Sequence, residues 1–479
     1  MERPSKESLL ELAKQNPEAI VDLVLQLFDR IEELEAKVTS LQQNSRNSSK
    51  PPSSDQHNFN PPAKRKRKGK SKLKPGGQPG HKGNTLKLVD NPDHIVIHEL
   101  KGTCSCGMDL AEIKPEGYTA RQVFDLPAEI KIETTEHRAS YGTCQCCGEK
   151  VRAQFPDNVN TLAQYGLRAR TWTTYLHAYQ LMPCERLSEC LHDLFEFRPS
   201  PGTVSNILES VGGNAANVAE EIKAQIRNAD CIHLDETSLN LCGEKYWLYT
   251  ASTEKQTYLY LHPNRSREAL AEFGILEGYE GFAIHDFYSI YLRYDQCSHG
   301  LCNAHHLRDL QYIEEELGQA WAGKLSQFLV DAKQLKEKAR SKGTGLDPGQ
   351  LNNLRKKYTR ILMDGIKDNP EPQRIPGQRG KLKRGKALNL LDRLIERDKE
   401  VLAFLYHDVP FDNNQAERDL RMMKTKQKIS GCFRSLSHAN SFINIRSVIA
   451  SAKKQAVNVM EIIESIIRAP EDAIALLTS

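Results

Sequence analysis

"CIHLDETSLNLCGEKYWLYTASTEKQTYLYLHP", residues 231–263, decides the fold. Apolar and polar residues alternate here with a period of two, the pattern of half-buried strands. "CIHLDET" reads as a short strand with Ile232 and Leu234 on one face, ending near Asp235. "EKYWLYTAS" and "QTYLYLHP" read as two further strands joined by the turn "TEKQ". A short helix is expected from Arg267 to Phe273, and a fourth strand, "GFAIHD", delivers Asp286.

Strand, hairpin, helix, strand, with an aspartate on the first and the fourth, is the ribonuclease H-like order. That fold sets the first and fourth strands side by side, so Asp235 and Asp286 are expected to meet. Clustered carboxylates repel one another unless a cation joins them, and Mg²⁺ takes hard oxygen ligands of this kind. Two such ions, with Mn²⁺ able to substitute, suit phosphodiester displacement.

A third acid fits the same purpose. In "PFDNNQAERDLRMMKTKQKISGCF", starting at Pro410, Glu417 heads a run containing Arg418, Arg421, Lys424, Lys426 and Lys428, interrupted only by Asp419. Asp412 or Asn413 can cap a helix running to about Lys428. Glu417, Arg421, Lys424 and Lys428 are spaced four, three and four apart and share a face, while Asp419 points elsewhere. A carboxylate above a cationic stripe matches a metal centre beside a phosphate backbone. The plainer alternative, a Glu417–Arg421 pair on an exposed helix, leaves most of the positive charge unmatched.

The flanking regions are read in the same way. A chain of 479 residues with no apolar run approaching ~18 residues and no signal-peptide pattern reads as a cytoplasmic, nucleoid-associated protein of several domains. Residues 1–45 read as a coiled-coil helix, because Ile20, Val24, Leu27, Ile31, Leu34, Val38 and Leu41 follow steps of four and three. A homo-oligomer is expected from that seam, and docking on the protein's own core is the alternative. Residues 46–90 form a linker rich in Ser, Asn, Pro and Gly. Its basic tract includes Lys64, Arg65, Lys66 and Arg67, suited to phosphates through counterion release. Residues 91–158 carry Cys104, Cys106, Cys144 and Cys147, a candidate structural zinc set of the ribbon type. Residues 159–228 read as helical, with a helix-turn-helix-like pair in "RLSECLHDLFEFRPSPGTVSNILESV" and Ser200 as a cap. Two packed bundle helices give the same pattern. The catalytic segment, 229–430, includes a helical insertion over about 306–408 with the basic "PGQRGKLKRGK" inside it, and 431–479 reads as a C-terminal helical module.

At these residues the chain resembles bacterial insertion-sequence transposases of the IS66 family. The motifs that carry the resemblance are "NSSKPPSSD", "GGQPGHKG", "HLDETSLNLCGEKYWLYTAST", "HDFYSIY", "CNAHHLRDL", "PFDNNQAERDLRMMKTKQKISGCFRS" and "FINIRS". The resemblance implies a DDE triad at Asp235, Asp286 and Glu417, with Lys424 at a basic position held against DNA. It implies cleavage at terminal inverted repeats, strand transfer to target DNA, and small accessory proteins of the same element. Cys302 and His305 match a Cys-x-x-His signature that follows the second aspartate in several DDE families. Cys297, His299 and His306 lie close by, so either a second metal site or packing behind the active site is open. "SLSHAN" around residue 438 replaces a more usual Gly-Ala pair and is expected to touch only a turn. Two rival readings are a DNA-binding regulator without chemistry and a ribonuclease H-like nuclease that cuts without joining.

Overall fold

The computed structural model describes residues 14, 16–42, 88–112, 114–124, 131–372 and 384–478. The chain divides into two compact units, residues 57–133 in one and residues 1–56 with 134–479 in the other. In the smaller unit the backbone turns tightly at Cys104–Gly107. The larger unit opens with the helix Pro17–Gln42. A two-stranded hairpin follows, β1 (Tyr141–Thr143) and β2 (Lys150–Arg152).

Five strands form the central sheet: β3 (Cys231–Leu241), β4 (Glu244–Ser252), β5 (Thr257–His262), β6 (Phe282–His285) and β7 (Ser298–Leu301). Their order across the sheet is β5-β4-β3-β6-β7. The first three are antiparallel neighbours, whereas β6 runs parallel to β3 and β7 parallel to β6. The strand expected to end near Asp235 continues to Leu241, because Cys242 and Gly243 both take positive φ and close a second hairpin onto β4. Central position explains why His233 is buried between Ile232 and Leu234, with apolar neighbours on both faces. β7 was absent from the sequence reading. "SHGL" offers little β-branched or aromatic signal, and it joins the sheet by pairing with β6 from Phe282↔Ser298 to His285↔Leu301.

Helices on either side of the boundaries expected at 228 and 430 share one core with this sheet. The long helix Pro201–Arg227, capped by Ser200 through the Thr203 N–H, packs its apolar face against the helix Leu436–Lys454. Gly212 permits their approach, since a Cβ there would fall 2.3 Å from Ser441 Cβ. Leu436–Lys454 in turn covers the β5 side of the sheet: Ser447 and Ser451 hydroxyls accept the Leu259 and Thr257 backbone N–H at 3.0 and 2.9 Å. The pair read as helix-turn-helix-like is therefore built as Cys184–Phe195 and Pro201–Arg227, with the second helix embedded in the core along most of its length. "SLSHAN" is not a turn: Ser435 caps the Leu436 helix, and His438 Nε2 lies 3.2 Å from His177 Nε2.

Between β7 and residue 408 the described residues are largely helical, as expected, and build a second core from Leu310, Trp321, Leu325, Phe328, Tyr358 and Leu391 among others. Most of "PGQRGKLKRGK" falls outside the described residues. The helix Asn414–Ser430 then crosses back onto β3 and β4.

Candidate active site

Register brings the two aspartates together. His233 on β3 pairs with Ile284 on β6, and Asp235 and Asp286 each lie two residues further on. Two residues restore the same face of a strand, so the acids stand on neighbouring chains at one level of the sheet. Asp235 Oδ1 accepts the Glu236 N–H at 2.9 Å, and Asp286 Oδ1 accepts the Tyr288 N–H at 3.0 Å. Burial, then the charges of Glu236, Asp286 and Glu417, hold the Asp235 carboxyl well above the usual carboxylate range, against the pull of that one hydrogen bond. Glu236, enclosed on the same strand, is pushed up to about 7 by burial and Asp286. It still pairs with Arg265 and accepts the Tyr291 hydroxyl. Arg265 itself lies over the Tyr288 ring at 3.7 Å.

Glu417 sits in the first turn of Asn414–Ser430. Its Oε1 lies 3.1 Å from Arg308 Nη2 and 3.7 Å from His305 Nε2, both on the helix Asn303–Glu316, so its ion partners come from there rather than from Arg421. Asn413 seats the glutamate helix. It is buried, its Nδ2 donates to the Leu234 carbonyl at 2.6 Å, and its Oδ1 lies 2.9 Å from His233 Nδ1. Sequence reasoning gave this residue only a capping role. Asn413 does occupy the N-cap position, but its side chain ties to β3, while Asp412 Oδ1 accepts the Asn414 N–H at 3.2 Å. No spacing rule separates those two uses of an asparagine at a helix start.

The cationic run divides. Arg418, Arg421 and Lys428 are exposed, whereas Lys424 is half-buried and donates to the Ser238 carbonyl at 2.9 Å. Burial pulls the Lys424 ammonium down and nearby Asp235 pulls it back up. Lys426 turns inward beneath the Phe442 ring, and burial pushes it down to about 8. Lys64, Arg65, Lys66 and Arg67 lie outside the described residues.

The family model described as Transposase IS66 family matches residues 162–441, a span holding the sheet, the insertion and the glutamate helix. The chain belongs to the IS66 transposase family. A second model, a family of unknown function (DUF6444), matches residues 1–87. No protein of curated function matches the chain. Transposases act on DNA, and the matched span contains every acid described above.

In this IS66 transposase the histidines and cysteines after Asp286 separate into two groups. His299 Nδ1 lies 3.0 Å from His285 Nε2, and Cys297 Sγ lies 3.7 Å from His299 Nε2. His306 is buried beside Asn303, and burial pushes it down to about 3. Cys302 and His305 instead join Glu417: their ligand atoms all lie within 4.8 Å of one another. Among the described residues this is the only such group of three.

The cysteine turns are built alike, one in each compact unit. The Gly107 N–H donates to the Cys104 carbonyl at 2.9 Å, the Gly148 N–H to the Cys144 carbonyl at 2.8 Å, and both glycines take positive φ. Backbone N–H groups of Cys106 and of Cys147 lower the Cys104 and Cys144 thiols. Among the described residues no helix is long and apolar enough to cross a membrane.

Proposed function

We propose that this chain is a DDE transposase that cuts a DNA phosphodiester at the element's end and joins the freed 3′-hydroxyl to target DNA. One observation carries the reading: Asp235 on β3 feels the charges of both Asp286, the first residue past β6, and Glu417, on a helix over 130 residues further on. The strand order, with the first strand parallel to the fourth and the fourth to the fifth, supports a ribonuclease H-like core.

The donor set fits a hard cation. A carboxylate whose ionisation is opposed by burial and three acidic neighbours is short of positive charge, and oxygen ligands of this type suit Mg²⁺ or Mn²⁺. Asp235, Asp286 and Glu417 would hold two such ions, which when bound polarise the phosphoryl group and stabilise charge on the leaving oxygen. The chain's own groups set the geometry. Asn413 fixes Glu417 against β3, and Arg308 balances its charge. Lys424, over the same strand, together with exposed Arg418, Arg421 and Lys428, offers cations to backbone phosphates, which orient DNA without reading its sequence.

Other parts support ancillary roles. Backbone N–H groups that lower the Cys104 and Cys144 thiols favour their deprotonation, which supports a structural zinc role for the cysteine turns. Exposed Val24, Leu27, Ile31 and Leu34 along Pro17–Gln42 support self-association through the heptad seam.

The test is an end-labelled inverted-repeat duplex incubated with protein, Mg²⁺ and target DNA. Joined product is expected from the wild type and none from Asp235→Asn, Asp286→Asn or Glu417→Gln. Cut but unjoined ends would make the protein a nuclease, and bound, uncut ends a regulator.

A further inference from the structure

The Cys302–His305–Glu417 group has a composition that the proposed magnesium chemistry does not call for. Mg²⁺ avoids thiols, whereas one sulfur, one imidazole nitrogen and one carboxylate oxygen form a ligand set suited to Zn²⁺. Three protein ligands with an open fourth position is a common zinc arrangement. Tetrahedral zinc places its ligand atoms about 3.5 Å apart, so donors already within 4.8 Å need only side-chain adjustment.

The surroundings of the three donors differ. Cys302 is 1% exposed and stands at the N-terminus of Asn303–Glu316, and its sulfur accepts the Asn413 N–H at 3.1 Å. Burial pushes the free Cys302 thiol up to about 12, against that N–H and the helix N-terminus, so its proton is one that a bound cation displaces. His305 Nδ1 is buried without a hydrogen-bond partner, an orphan with a cost unless something binds the ring. Glu417 Oε1 pairs with Arg308 at 3.1 Å and lies 3.7 Å from His305 Nε2, so an ion bound here takes over a carboxylate that Arg308 holds in its absence.

We propose that Cys302, His305 and Glu417 bind a thiophilic divalent ion, Zn²⁺, and that this ion withholds Glu417 from Asp235 and Asp286. A carboxylate drawn towards sulfur and imidazole is not available to a hard ion on the strands, so zinc is an inhibitor of the magnesium-dependent reaction. The inhibitory half rests on the DDE reading; the binding half does not.

The test uses the full chain and separates the two. Ions per chain are counted after zinc loading and gel filtration for wild type, Cys302→Ser and His305→Asn, with circular dichroism melting to confirm that each variant is folded. Co²⁺ replaces zinc in a parallel series, where the sulfur-to-cobalt charge-transfer band reports the thiolate. Both variants are expected to bind one ion fewer than wild type whatever the other cysteines hold, and Cys302→Ser to lose part of the band. DNA cleavage in Mg²⁺ is then measured for each protein with and without zinc. In wild type, free zinc at about ten times its dissociation constant is expected to reduce cleavage about tenfold, because about a tenth of the sites stay empty. The same ratio is expected near one in the variants. Equal ion counts in wild type and both folded variants would overturn the site, even for a protein that never cuts DNA. An ion lost with no zinc effect on wild-type cleavage would overturn the inhibition.

Discussion

Glu417 and Asp419 stand two residues apart on one helix and meet opposite surroundings. Asp419 is tied to its own fold through Oδ2: Lys454 lies 2.7 Å away, and the Ser252 and Thr257 hydroxyls donate to that oxygen at 2.6 and 2.9 Å. Glu417 faces Arg308 and His305, and its charge reaches buried Asp235. An acid bonded to two strands and a second helix of its own fold holds its helix down. One left among other acids is available to an external cation. The sequence "AERDL" presents both as acids amid positive charge, and only their burial partners separate them.

The comparison breaks first if the two acids exchange consequences. Glu417→Gln is expected to reduce DNA cleavage about a thousandfold or more, with stability changed by less than about 1 kcal/mol, checked by single-turnover rates and urea unfolding. Asp419→Ala is expected to do the reverse. Removing one partner of a largely buried pair costs about 3 kcal/mol, while cleavage per folded molecule stays near wild type. Gly212→Ala tests whether the helix beneath the sheet matters as much as the pair above it. Its Cβ would press on Ser441, and a loss of about 2 kcal/mol is expected from overpacking, read from the same unfolding curves.

A smaller effect concerns pH. Glu236 has its carboxyl raised from 4.5 to about 7, so between those values the native state keeps a proton that the unfolded chain releases. That contribution to stability is complete below about 4.5 and is lost as pH rises through about 7. The metal-free wild type should therefore lose more stability across this window than Glu236→Gln, in melts at a series of pH values. The smallest effect sharpens the division of the cationic run. Arg421→Ala should lower the slope of log affinity against log salt by about 1. Lys426→Met should leave it unchanged, because Lys426 already faces Phe442.

Much of the catalytic region was legible in the chain. β4 and the helix Arg267–Phe273 fall where alternation and capping place them, and Asp235 and Asp286 stand where strand order predicts. Three features were not legible. β7 lacks strand-forming residues and forms by pairing with β6. The role of Asn413 depends on His233 and Leu234, some 180 positions away. Glu417 joining Cys302 and His305 depends on where two helices from separate cores meet. Local periodicity carries no information about such distances.

The sequence by itself determined the elements and their chemistry: alternating runs for strands, heptads for the first helix, paired cysteines, and three acids with a cationic stripe. Those properties follow from the backbone's short-range preferences and from side-chain type. Only the tertiary structure decided which acid is held and which is available, which lysine faces water, and which cysteine keeps company with the third carboxylate. Burial and hydrogen-bond saturation are properties of neighbours brought together by folding, and residues alike in the chain diverge once those neighbours are in place.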